Sequence, residues 1–109
     1  MSFLMNWRSA LPIFRVEITP EAERDIRAIV AYIRKDNLSA AIRVVSAIKE
    51  QVNALTQFPD MGRPGRIDGT REMVLGGLPY IVIYQVGDNT AYVARVLHGA
   101  QQWPPIVQT

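Results

Sequence analysis

The sequence predicts an α+β domain ordered β-α-α-β-β-β, an antiparallel sheet with a helical hairpin packed on one face. Three patterns carry that prediction. Apolar residues alternate over "IFRVEI" (residues 13–18), recur at helical spacing over two successive stretches between residues 20 and 58, and fill three β-rich runs after residue 70. At 109 residues, 49% hydrophobic and 20% charged, the chain supports one core of ordinary globular composition. Residues 1–12 read as an N-terminal extension and residues 13–109 as the single domain.

In "IFRVEI", Phe14, Val16 and Ile18 share one side and Arg15 and Glu17 the other, the pattern of a half-buried strand. Thr19-Pro20 follows. A threonine oxygen accepts from the free N–H groups of a first helical turn, proline suits the first position, where no N–H is needed, and Glu21, Glu23 and Asp25 complement the positive helix end. A helix therefore starts at residue 20, with Ala22, Ile26, Ile29, Val30 and Ile33 inward and Glu23, Arg24, Arg27 and Arg34 outward. Asp36-Asn37 breaks the pattern, and Asn37 or Ser39 caps a second helix built on Ile42, Val45, Ile48, Val52 and Leu55, ending near Phe58-Pro59. So short a connection makes the pair an antiparallel hairpin. Tyr32 and Val44 are apolar positions that the spacing leaves open between core and partner surface.

"FPDMGRPGRIDGT" (residues 58–70) sets two prolines and three glycines among charges, which is loop chemistry. "REMVL" (71–75), "YIVIYQV" (80–86) and "TAYVARVL" (90–97) are strands, joined through Gly76-Gly77-Leu78-Pro79 and Gly87-Asp88-Asn89 as hairpins. "YIVIYQV" is apolar on both sides through Ile83, as a central strand covered on both faces must be.

Composition removes several functions. The chain has no cysteine and one histidine, His98, so a disulfide framework, a thiolate zinc site and a cysteine nucleophile are excluded, and no metal or cofactor is expected. Cysteine-free composition fits a reducing cytoplasm. "GRPGRIDG" lacks the lysine and hydroxyl ending of a phosphate loop. "MSFLMNWRSALP" has no basic start followed by a long apolar run, so neither a secretion signal nor a membrane span is expected. A net charge of +2, with ten of the twelve basic residues arginine, permits an acidic partner without demanding nucleic acid.

The chemistry left is general acid–base cleavage of RNA, which needs groups to activate the 2′-hydroxyl and protonate the leaving oxygen, and a cation at the phosphate. The candidates are His98, Arg71, Arg95, Glu72, Tyr80, Tyr84 and Tyr92. Alternation sends Arg95 and His98 to opposite faces of a regular strand, so they converge only if that strand ends near Leu97. A lone histidine after a strand more often hydrogen-bonds backbone or a neighbouring loop, and strand tyrosines more often pack than stack bases. Arg63, Arg66 and Arg71 offer a phosphate or an acidic segment a basic loop, yet Asp60, Asp68 and Glu72 balance them, which favours a solvated loop.

The order of elements, together with "TPEAERDIRAIVAYI", "FPDMGRPGR", "GTREMVL", "PYIVIYQV" and "ARVLHGAQQWP", resembles the RelE/ParE superfamily of toxins from bacterial type II toxin–antitoxin modules, over residues 13–103. The resemblance implies a small cytoplasmic protein that arrests growth, as in plasmid stabilisation, and a cognate antitoxin that wraps its hairpin and sheet in a heteromeric complex. It also implies one of two targets: RelE-like members cleave messenger RNA in the ribosomal A site, and ParE-like members poison DNA gyrase. RelE-like nucleases carry basic residues on the strand before the central one and an arginine just after the residue that opens it. The matching positions here hold Glu72, Val74 and Ile81. An aliphatic side chain in place of a guanidinium removes phosphate stabilisation worth several kcal/mol. The expectation is a ParE-like inhibitor of gyrase with no catalytic residue, using Arg63, Arg66, Arg71, His98 and Trp103 as contact surface for target or antitoxin. The alternative is a ribosome-dependent endoribonuclease, an mRNA interferase, using His98 with Arg95 or Arg71. A third reading is a protein-binding module without toxicity.

Overall fold

A computed structural model describes residues 15–104. The expected N-terminal extension, Ile13 and Phe14 of the first strand, and Pro105 lie outside them. The chain runs β1 (Arg15–Ile18), α1 (Pro20–Arg34), α2 (Leu38–Ala54), β2 (Arg63–Pro64), β3 (Thr70–Val74), β4 (Tyr80–Gly87) and β5 (Thr90–His98). The predicted order holds, with a two-residue strand added inside the glycine-rich loop. The five strands form one sheet in the order β1-β5-β4-β3-β2, so β4 is central as its composition requires. β2 through β5 pair antiparallel, but β1 runs parallel to β5. The sheet is therefore mixed, not antiparallel throughout as expected. Alternation fixes the face a strand presents and leaves open which neighbour it joins and in which direction.

Both helix starts follow from their caps. Thr19 Oγ1 accepts from the Ala22 amide at 3.2 Å and donates to the Ala94 carbonyl at 3.1 Å, so the cap of α1 also stitches it to β5. Asn37, rather than Ser39, caps α2, its Oδ1 accepting from Ala40 at 2.9 Å. The core lies between the hairpin and one face of the sheet, where Ala22, Val44, Ile48, Val52 and Leu55 meet Met73, Leu75, Tyr80, Val82, Tyr84, Ala91, Val93 and Val96.

On α2 the buried stripe is Ala41, Val44, Ile48 and Val52, while Ile42 is 58% exposed and Val45 half-buried. The first turns of the buried face thus run through Ala41 and Val44 in place of the expected Ile42 and Val45, while Ile48, Val52 and Leu55 are buried as the spacing predicts. Of the two positions left open by the sequence, Val44 is core at 3% exposure and Tyr32 is surface at 74%. Urea denaturation should therefore register a loss of about 1–2 kcal/mol for Val44→Ala and a change within about 0.5 kcal/mol for Tyr32→Ala.

One irregularity decides the geometry of β5. Ile83 pairs with Arg95 but Tyr84 pairs with Val93, which leaves Ala94 as the extra residue of a bulge. Before it, Ala91 and Val93 face the helices; after it, Val96 does, and Arg95 turns to the opposite face. In a regular strand Val93 and Arg95 would share a face, and the arginine would enter the core. Among the described residues no helix is long and apolar enough to cross a membrane.

Candidate functional site

On the face of the sheet away from the helices, one row of cross-strand neighbours reads Arg63, Glu72, Ile83, Arg95, from β2 to β5. The side chain of Glu72 is only 1% exposed. A carboxylate so buried is costly unless charges and hydrogen bonds compensate it. Here Oε1 lies 3.4 Å from Arg63 Nη2 and 3.6 Å from Arg66 Nε, and Oε2 accepts the Arg66 backbone N–H at 3.0 Å. The loop between β2 and β3 is therefore held down on Glu72, which is neither an available acid–base group nor part of a solvated loop.

Trp103 closes over the same face, in a groove walled by Ile81, Ile83, Leu97, Glu72 and Arg66. Arg66 Nη1 donates to its carbonyl at 3.2 Å, and the Arg95 guanidinium stands 5.6 Å from its ring centroid, a cation–π distance. Arg95 is committed elsewhere as well: Nε and Nη2 donate to the two oxygens of Asp25 on α1 at 2.7 and 3.0 Å, and Asp25 Oδ2 also accepts from the Val96 amide at 3.0 Å. The hydrogen bond to Asp25 raises the pKa of Arg95 beyond its ordinary value, with burial opposing. It is a permanent cation in a bidentate pair.

Arg71 stands on the other face, beside its cross-strand neighbour Tyr84. It donates to the Gly62 and Asp60 carbonyls at 2.6 and 3.2 Å, and its Nε lies 3.6 Å from the Asp60 carboxylate. The Tyr84 hydroxyl donates to the Pro59 carbonyl at 2.7 Å and accepts from the Gly62 amide at 2.8 Å. Burial pushes this hydroxyl above its ordinary pKa of 10.0, against the lowering pull of Gly62 and Arg71. His98 pairs with Tyr80 across the sheet, its ring edge-on at 5.6 Å between centroids. Its Nδ1 accepts from the Ala100 amide at 3.0 Å, which places the proton of a neutral ring on Nε2.

The structure thus gathers Arg63 and Arg66 around Glu72, with Trp103 and His98 lining the same groove, Arg95 beyond Ile83 against the Trp103 ring, and Arg71 on the other face. Arg95 and His98 do leave opposite faces of β5, as alternation predicts. Arg71 and His98 face Tyr84 and Tyr80 respectively, four residues apart along β4, or about 13 Å. Tyr80 and Tyr84 are 8% and 0% exposed and offer no stacking platform; Tyr92 is 38% exposed. The sequence alone does not reveal Asp25 as the partner of Arg95, because no local pattern links residues 70 positions apart. Glu72 did carry a signal, a charge inside a strand otherwise apolar from Met73 to Leu75.

Comparison with known proteins places this arrangement. The family model described as ParE toxin of type II toxin-antitoxin system, parDE, matches residues 16–103. Y4kP of Sinorhizobium fredii is 44% identical over 93 residues, covering 85% of this chain and 96% of its own. Toxin RelE2 of Caulobacter vibrioides is 31% identical over 83 residues, 76% of this chain and 92% of its own. A chain of the chromosomal ParDE TA system from P. aeruginosa superposes with a TM-score of 0.71 at 26% identity, over 80% of this chain and 97% of that one. One from the toxin–antitoxin complex RelBE2 of Mycobacterium tuberculosis does so at 0.58 and 26%, over 79% and 98%. Two helices on a five-stranded sheet, matched to this family from β1 through Trp103, lead to one conclusion: the chain belongs to the ParE toxin family of type II toxin–antitoxin systems, within the RelE/ParE superfamily.

Proposed function

We propose that this toxin arrests growth by protein–protein contact with DNA gyrase, catalyses no reaction of its own, and is neutralised by a cognate antitoxin. One observation carries the reading: the three side chains that RNA cleavage would use are dispersed and engaged. Arg95 is clamped by Asp25, Arg71 is held by Asp60 and two carbonyls on the other face, and His98 accepts from Ala100. A nuclease needs its acid, base and cation within hydrogen-bond reach of one phosphodiester. At the positions where RelE-like nucleases are basic, the buried carboxylate of Glu72 and the side chain of Ile81 supply no phosphate contact.

The contact surface is then Arg63 and Arg66, with side chains 58% and 43% exposed, together with Trp103, Arg71 and His98. The two solved structures compared above come from toxin–antitoxin systems, which supports an antitoxin partner here. A groove of about 380 Å³ between the helices, floored by Val30, Leu38, Ile42 and Val45 with Arg34 and Lys49 at its rim, suits an acidic amphipathic segment of that antitoxin.

The ribonuclease reading is kept by similarity to proteins named RelE. Gyrase supercoiling and cleavage of ribosome-bound message, assayed side by side with the purified toxin, separate the two. The expected result is inhibited supercoiling with trapped DNA breaks and intact message. His98→Ala, the loss of one contact residue among five, is expected to weaken growth arrest without abolishing it. Cleaved message, untouched gyrase and a harmless but folded His98→Ala would establish the nuclease instead.

A further inference from the structure

We propose that residues 99–104 form a strap latched from two sides, by Arg66 of the β2–β3 loop and by Arg95 of β5, so that its closure is coupled to Asp25 on α1. This coupling does not depend on the toxin's target. The chain reverses at the end of β5, where the Gly99 amide donates to the Pro79 carbonyl at 2.7 Å and the Gln101 amide to the His98 carbonyl at 2.9 Å. The Gln101 side chain accepts a hydrogen bond from the His98 amide at 3.1 Å. This reversal lays Trp103 on Ile81, Ile83 and Leu97, the last two 1% and 4% exposed.

Two ties hold the ring there, and each is anchored in a different element. Arg66 bonds the Trp103 carbonyl while its own amide is fixed on the buried Glu72. Arg95 stacks on the indole while Asp25 grips it in two places. The closed position is nonetheless incompletely satisfied: Trp103 Nε1 is buried and has no acceptor among the described residues. A buried donor without a partner opposes closure, and burial of the indole favours it. These terms act in opposition, so the two arginine ties tip the balance. A protein partner that draws Asp25 or Arg66 into its own ion pairs therefore opens the strap at a place it does not touch, and uncovers the apolar floor.

The test uses the full chain with Trp7→Phe, which leaves Trp103 as the one fluorophore of its kind. In this parent the expected emission is blue-shifted and poorly quenched by acrylamide. Arg66→Gln and Asp25→Asn should each shift emission to the red and raise the quenching constant severalfold, with far-UV circular dichroism unchanged. Asp60→Asn, which loosens Arg71 on the other face, should do neither. The proposal is overturned if Trp103 in the parent is as accessible as free indole, or if the folded Arg66→Gln variant is quenched no more than the parent. Arg66 is half-exposed, and Arg66→Gln keeps both its backbone amide and Arg63 on Glu72, so this variant decides the question even should Asp25→Asn destabilise the fold.

Discussion

Asp25→Ala is expected to lower the free energy of unfolding by about 2–3 kcal/mol, among the largest effects open to a surface-proximal charge in this protein. The carboxylate serves two clients at once, the Arg95 guanidinium and the Val96 amide. That amide lies beyond the end of β1, whose pairing with β5 stops at Ile18 and Val93, so no neighbouring strand takes the place of Asp25. Removal leaves a strand donor without its acceptor and a guanidinium without its counter-charge. In a fully buried pair this would cost about 3–5 kcal/mol, but Arg95 is 30% exposed and Asp25 15%, and water repays part of it. Asp25→Asn keeps one acceptor for Val96 and should lose about half as much. Guanidinium denaturation checks this as a shifted midpoint at constant slope. A change below about 0.5 kcal/mol for Asp25→Ala would show that water replaces both interactions.

The same pair marks where reading the chain succeeds and where it stops. Thr19-Pro20 and Asn37 announce both helices because capping is local chemistry, complete within four residues. The apolar run of β4 announces the central strand because only a strand covered on both faces tolerates it. The parallel direction of β1, the bulge at Ala94 and the burial of Ala41 and Val44 in place of Ile42 and Val45 are not legible, since each is decided by a neighbour distant in sequence. The site divides in the same way. Adjacent residues of a strand point to opposite faces, so the split of Arg71 from Glu72 follows from alternation alone. The meeting of Arg95 with Asp25, and of Arg66 with Trp103, is tertiary. Glu72 looked like one of several balancing loop charges, yet it is the buried counter-ion around which Arg63 and Arg66 are arranged.

Tyr84→Ala is expected to cost about 3–5 kcal/mol, as for other buried aromatics, and Tyr84→Phe about 1–3 kcal/mol for the hydroxyl alone. The ring is fully buried at the centre of the sheet. Its hydroxyl ties the 59–62 turn by donating to Pro59 and accepting from Gly62, and that turn in turn presents the Asp60 and Gly62 carbonyls to Arg71. The fit leaves no slack: a Cβ at Gly62 would lie 2.7 Å from the Tyr84 hydroxyl oxygen and 3.0 Å from the Glu72 carbonyl oxygen. In Tyr84→Phe the buried Gly62 amide loses its acceptor and water cannot easily reach it. Alkaline pH gives a second readout. Burial raises the Tyr84 pKa above the 10.0 of an ordinary tyrosine, so the unfolded chain releases this proton first. Stability owed to the neutral hydroxyl is therefore complete below the unfolded pKa and is lost as pH rises through the folded one. The other tyrosines are common to both proteins and cancel in the comparison. The gap in unfolding free energy between the natural protein and Tyr84→Phe should stay constant up to about pH 10 and close above it. Parallel curves across that range would mean that Tyr84 ionises as freely in the fold as outside it, and that packing alone holds the turn.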